Sequence, residues 1–204
     1  MKNRKITTLF VDIGGVLLNN GWDTSHRERA AKHFQVDFTE MEKRHRLTFD
    51  TFESGKISLE EYVRRVIFYE KRNFEPELFI HFMYAQSHVL PDMIPLIQKL
   101  KRDHHLKVVA VSNEGRELTL HRIKTFQLDS FMDLFISSCF VFTRKPDDAI
   151  YRYALDISHA APEEVIYIDD RLMFIEVAEK MGIQGIHHID YQTTLEKLNL
   201  LLIQ

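Results

Sequence analysis

An apolar run containing a single carboxylate, Leu9-Phe10-Val11-Asp12-Ile13-Gly14-Gly15-Val16-Leu17-Leu18, limits the folds open to this chain more than any other stretch. Large apolar residues without polar alternation, closed by two glycines, describe a strand buried on both faces of a parallel sheet and followed by a sharp turn. Asp12 then falls at the carboxyl end of a central strand, where open α/β sheets place their ligands. Turn chemistry accounts for an isolated Asp-x-Gly-Gly. It does not account for the polar residues that end three further strands.

Behind Leu18 the chain turns charged and aromatic until about His88, with helical spacing throughout. Phe49, Phe52, Leu59, Tyr62, Val63, Val66 and Ile67 recur at three- and four-residue steps, and Thr39 with Glu42 and Ser58 with Glu61 fit the capping box. The pattern predicts helices over 24–34, 39–52, 58–69 and 75–86. From Leu90 helices alternate with strands: helices over 91–103, 117–126, 147–155, 174–181 and 194–202, strands over 107–111, 134–138, 165–169 and 185–188. Such alternation implies right-handed crossovers and a doubly wound α/β parallel sheet covered on both faces. Residues 1–18 and 88–204 would form this core, and 19–87 a helical insertion behind its first strand.

Four strand ends carry polar groups. Asp12 ends the first, and Ser112-Asn113 ends Val108-Val109-Ala110-Val111. In the third region Thr143-Arg144-Lys145-Pro146 leads into a helix, with Pro146 suited to its first turn. Asp169-Asp170 ends Val165-Ile166-Tyr167-Ile168, and adjacent acids at a buried strand end repel unless a cation is present.

The order of these motifs resembles the haloacid dehalogenase (HAD) superfamily over nearly the whole chain. Residues 19–87 resemble its small helical cap, and Gly55-Lys56-Ile57-Ser58-Leu59-Glu60-Glu61-Tyr62 is similar to a stretch of such caps. The resemblance implies a Rossmann-like core and a phosphatase that hydrolyses a small phosphomonoester, a sugar phosphate or similar metabolite, through an aspartyl phosphate on Asp12. It implies Mg²⁺ held by the Asp12 carboxylate, the Gly14 carbonyl and Asp170, with Asp169 assisting. Ser112 and Lys145 would hold the phosphoryl oxygens, Lys145 keeping Asp12 ionised, and the amides of Ile13 and Asn113 would complete the cradle. The chemistry is coherent: attack by one anion on another needs charge cancellation, and Mg²⁺ prefers carboxylate oxygens and phosphate. Two positions depart from the family. Gly14 stands where its phosphatases commonly carry an acid that protonates the leaving group, and Phe174 where an Asp or Asn often supports the metal. A weakly active phosphate-binding or regulatory protein is one alternative reading. Metal-independent dehalogenation through the same aspartate is another, which the intact acidic pair disfavours.

Charge bounds the partners. Lys and Arg number 27 against 30 Asp and Glu, for a net charge of -3, so no basic field calls for nucleic acid or an anionic membrane. Lys2, Arg4 and Lys5 before an apolar stretch imitate a signal peptide, but Asp12 interrupts it and no small-residue cleavage site follows. A cytoplasmic monomer is the expectation. Cys139, the only cysteine, sits beside Phe140 and Val141 and reads as a buried, non-catalytic thiol. The pairs His104-His105 and His187-His188 do not chelate one ion if neighbouring side chains face opposite ways.

Overall fold

The computed structural model describes residues 5–202; Lys2 and Arg4 of the basic N-terminal cluster lie outside that range. Five strands, β1 (Thr8–Val11), β2 (Lys107–Ser112), β3 (Leu134–Ser137), β4 (Val165–Asp169) and β5 (Gln184–His187), form one parallel sheet ordered β3-β2-β1-β4-β5. Val11 of the central strand is in register with Ala110 on one side and Ile168 on the other. The chain winds outward through β2 and β3, then returns to β4 across β1, so the strand order reverses beside β1. Loops diverge at such a reversal and open a crevice at the carboxyl ends of the strands.

Alternation along each strand sends apolar side chains to both faces. Leu9, Val11, Val108, Ala110, Ile166 and Ile168 pack on one side with Met93, Ile97 and Leu100 of α5 (Met93–His104) and Leu198 of α10 (Tyr191–Leu202). Phe10, Val109, Val111, Val165 and Tyr167 pack on the other with Ile150, Tyr151 and Ala154 of α8 (Asp148–Ser158) and Ile175 and Ala178 of α9 (Leu172–Lys180). Both faces of β1 are thus dry, which is why its sequence lacks polar alternation.

Between β1 and α5 come α1 (Thr24–Phe34), α2 (Phe38–Glu53), α3 (Leu59–Val66) and α4 (Pro76–Ala85). They bury Ala30, Phe34, Met41, Phe52, Tyr62, Val63, Phe79 and Met83 in a separate cluster that Leu118 of α6 (Arg116–Thr125) joins from the sheet side. Among the described residues no helix is long and apolar enough to cross a membrane.

Local signals and observed boundaries differ where a stronger cap lies nearby. Ser58 Oγ accepts from the Glu61 amide at 3.1 Å, as a cap should, but α2 starts at Phe38 because Asp37 accepts from the Glu40 amide at 2.9 Å. Thr39 is therefore inside the helix. Asp147 caps α8 through the Ala149 amide, which leaves Pro146 outside the first turn. A short α7 (Ser138–Val141) follows β3 directly, taking up Ser138, the last residue of the predicted strand, and three residues for which the sequence predicts no element. His104 ends α5 and His105 is its left-handed cap, so that pair is not on a strand. His187 and His188 turn to different partners, the Asp170 carbonyl and Thr194 Oγ1.

The insertion is seated on the core at close quarters. Ser138 Oγ donates to the Glu53 carbonyl at 2.6 Å, and a Cβ on Gly55, whose φ is +66°, would lie 2.3 Å from the Cys139 carbonyl oxygen. Gly55→Ala should therefore lower stability by about 2 kcal/mol, from positive φ and backbone overlap together. Urea unfolding of the two proteins checks this; an unchanged midpoint would mean the loop relaxes freely.

Candidate active site

The Lys145 ammonium lies at the centre of the crevice and is almost wholly buried, with 1% of the residue exposed. Its Nζ is 3.0 Å from Asp12 Oδ2 and 2.7 Å from Asp169 Oδ2, and it donates to the Val111 carbonyl at 2.9 Å. Burial works against the charge, but Asp12 and Asp169 outweigh it and hold Lys145 above its ordinary pKa. The Phe174 ring covers the ammonium at 5.0 Å from its centroid. That aromatic face can attract the cation but supplies no ligand atom.

The end of β4 separates the two acids that follow Ile168: Asp169 is its last residue and Asp170 lies in the bend after it. Asp169 points to the same face as Tyr167, and its Oδ2 takes both Lys145 Nζ and the Tyr167 hydroxyl, while Oδ1 accepts from the Arg171 amide at 2.8 Å. Burial and Asp169 push the Tyr167 hydroxyl well above its ordinary value, so it remains a neutral donor. Asp169 is saturated. Asp170 is not: among the described residues Oδ2 meets only Asn20 Nδ2, at 3.3 Å, and Oδ1 is buried without a partner.

Asp12, Asp169 and Asp170 bring one carboxylate oxygen each within 4.8 Å of one another. Burial pushes the Asp12 carboxyl up to about 7, with Asp169 and Asp170 adding to the effect and Lys145 opposing it. One ammonium does not balance three convergent acids, and one oxygen of Asp170 is buried without a partner among the described residues. This donor set suits a hard divalent cation such as Mg²⁺. Gly15 permits the approach: at φ +75°, a Cβ there would lie 2.3 Å from Asp170 Cγ.

The other sequence-predicted residues surround the same point. Ser112, Asn113 and Gly14 line a cavity of about 320 Å³ with Asp12 and Lys145. The Ile13 amide donates to Asp12 Oδ1 at 2.7 Å, so here it orients the carboxylate instead of facing the cavity. Asn113 does more than the sequence suggested. Its side chain donates to the Lys145 carbonyl and accepts from the Lys145 amide, both at 2.8 Å, clamping the Lys145 loop to the end of β2. Cys139 is buried and its thiol pushed up to about 11, chiefly by burial, so it stays protonated.

Several residues escaped the sequence reading because no short motif marks them. Tyr167 was findable: two residues before Asp169 on a strand, it must share that face. Arg122, fully buried, pairs with Glu114 at 3.3 Å and donates to the Asn19 carbonyl at 2.7 Å. Burial raises the Glu114 carboxyl to about 6 against the pull of Arg122. These groups crowd the position opposite Gly14. A Cβ there would lie 3.1 Å from Asn20 Oδ1 and 3.8 Å from Arg122 Nη1, and Gly14 is not among the residues with positive φ.

The profile of the haloacid dehalogenase-like hydrolase family matches residues 25–187, beginning after Asp12. Flavin mononucleotide hydrolase 1 of Arabidopsis thaliana is 27% identical over 146 residues, which cover 72% of this chain and 58% of that protein. (S)-2-haloacid dehalogenase 4A of Burkholderia cepacia is 28% identical over 48% of this chain and 42% of its own length. The chain thus spans between about two fifths and three fifths of these relatives. A HAD family enzyme of Bacteroides thetaiotaomicron, solved with magnesium and inorganic phosphate, superposes with a TM-score of 0.77 at 22% identity, covering 91% of this chain and 97% of that one.

The two acids should separate in stability. Asp169→Ala strips the buried ammonium and phenol of their shared acceptor and should cost about 3 kcal/mol. Asp170→Ala removes a group with one long hydrogen bond and should cost far less. Denaturant midpoints of the two variants measure the difference, and equal losses would refute the asymmetry.

Proposed function

Since the chain belongs to the haloacid dehalogenase-like hydrolases, we propose that it hydrolyses a small phosphomonoester with the help of Mg²⁺, through an aspartyl phosphate on Asp12. The convergence of Asp12, Asp169 and Asp170 about Lys145, with Asp170 Oδ1 buried and unpaired, carries this reading. The flavin mononucleotide hydrolase likeness and the magnesium and phosphate bound by the Bacteroides enzyme support it. Metal-independent dehalogenation gives no reason to gather three carboxylates.

Asp12, held by the Ile13 amide and Lys145, attacks phosphorus; the Asp12 oxygen–phosphorus bond forms as the bond to the leaving oxygen breaks. Water then attacks phosphorus, releasing inorganic phosphate and restoring the carboxylate. Ser112 and Lys145 hold the phosphoryl oxygens, and the Lys145 charge favours the ionised nucleophile. Bound through Asp12, Asp170 and the Gly14 carbonyl, with Asp169 behind them, Mg²⁺ would offset the repulsion between carboxylate and phosphate. Asp169 meanwhile fixes Lys145, and Phe174 shields it from water.

Hydrolysis of p-nitrophenyl phosphate should require Mg²⁺ and disappear in Asp12→Asn, whose amide is no nucleophile. Undiminished turnover in EDTA or in the variant would sink the assignment.

Gly14 shapes the substrate preference. A general acid is worth ~10²–10⁴-fold in rate, and without one at this position the leaving oxygen departs unprotonated. Rates across esters of graded leaving-group pKa should therefore fall steeply as basicity rises. Gly14→Asp, whose Cβ would press on the Asn20 side-chain oxygen at 3.1 Å, should flatten the series. A flat series for the natural protein would mean that another group, with Glu114 nearest in kind, already supplies the proton.

A further inference from the structure

Trp22, Tyr62 and His45 form a hydrogen-bonded chain across the inserted helices that the reaction above leaves unused. Trp22 Nε1 donates to Tyr62 Oη at 3.0 Å, and that oxygen lies 2.8 Å from His45 Nδ1. An indole N–H only donates, so the phenol oxygen accepts in the first bond and its own proton must go elsewhere. Tyr62 is fully buried against the stacked Phe52 ring, and among the described residues His45 Nδ1 is its one other hydrogen-bond partner. A proton on Nδ1 would strand the phenol O–H in a dry interior. Tyr62 therefore donates to Nδ1, and the proton of neutral His45 sits on Nε2. Burial, with Arg27 and Arg46 outweighing Glu42, lowers the imidazole to about 4 and keeps it neutral.

His45 lines the same cavity as Asp12, and its Nε2 has no hydrogen-bond partner among the described residues. Its ring stacks on Phe49 at 5.3 Å and 30°, which holds its plane. Of the cations lining the cavity, Arg27 is paired with Glu42, Arg122 with Glu114 and Arg144 with Asp50 and Glu53, while Arg171 lies over the Phe174 ring. We propose that His45 is a specificity-determining residue, whose Nε2–H, set by the Trp22–Tyr62 relay, donates to a hydroxyl or carbonyl oxygen on the leaving group of the phosphate ester. The inference rests on the phosphatase reading of the site. A neutral N–H suits an uncharged oxygen better than a second phosphate, and an ester lacking that oxygen leaves the donor unpaired.

Two measurements test this on the full chain with Mg²⁺. Nitrogen-15 NMR should show His45 protonated at Nε2 and a shift of that N–H when pentose or hexose phosphates are added, whereas Tyr62→Phe should redistribute the proton between the two nitrogens. In kinetics, His45→Phe keeps a ring over Phe49 but removes the donor. It should lower kcat/KM for the best hydroxylated ester about tenfold more than for phenyl phosphate, chiefly through KM; His45→Gln, which can still donate, should recover part of the difference. Equal losses on both esters, or a proton on Nδ1, would overturn the proposal. If the natural protein fails to hydrolyse phenyl phosphate, the phosphatase reading falls, and the NMR titration still decides whether His45 Nε2 meets the sugar: an unmoved resonance refutes it.

Discussion

A lysine ammonium buried between two aspartates is the interaction on which the crevice depends. Lys145 is held by Asp12, Asp169, the Val111 carbonyl and the Tyr167 hydroxyl, so the ends of β1, β2 and β4 meet at one nitrogen. A buried charge pair with all its hydrogen bonds made contributes modestly to stability, but removing one partner leaves the other stranded in low dielectric. The arrangement therefore fixes positions more than it adds stability. Asn113 extends it by clamping the backbone of Lys145 itself, so neither the head nor the root of that side chain is free to wander.

The same geometry gives adjacent acids different chemistry. Asp169 turns toward the α8 and α9 face, where Tyr167 and Lys145 consume its lone pairs. Asp170, one residue on, meets only Asn20 and keeps an unpaired oxygen. Two neighbours of identical type thus divide into a positioning group and an open donor, because β4 ends between them and Gly15 allows the close approach of the second.

The inserted helices line the cavity opposite the strand ends. Phe49, Phe52, Trp22 and His45 bring aromatic surface to it, while Arg27 and Arg144 arrive with their countercharges. Arg144 stands directly before Lys145 yet pairs with Asp50 and Glu53 of α2, tying the loop that carries the lysine to the insertion. Placement of Lys145 and docking of the inserted helices are therefore coupled through two consecutive residues.

The sequence by itself determined the parallel sheet, because strands dry on both faces must be apolar throughout, and the alternation of helices with strands leaves few ways to connect them. It also marked Asp12, Ser112 and the acidic pair, since polar residues at the ends of apolar strands are not explained by packing, and Lys145 through the Thr143-Arg144-Lys145-Pro146 segment that leads into a helix. The helix start at Asp37 was less legible, because neighbouring residues compete for one cap and packing selects the winner. What only the tertiary structure decided are the relations between elements distant in the chain. Arg122 and Asn20 lie opposite Gly14, Asn113 grips Lys145, and Tyr62 joins Trp22 to His45 by hydrogen bonds. None has a local signature, because each depends on a distance set by how helices seat on a sheet, and a hydrogen bond is specified by that distance rather than by the residues' separation along the chain.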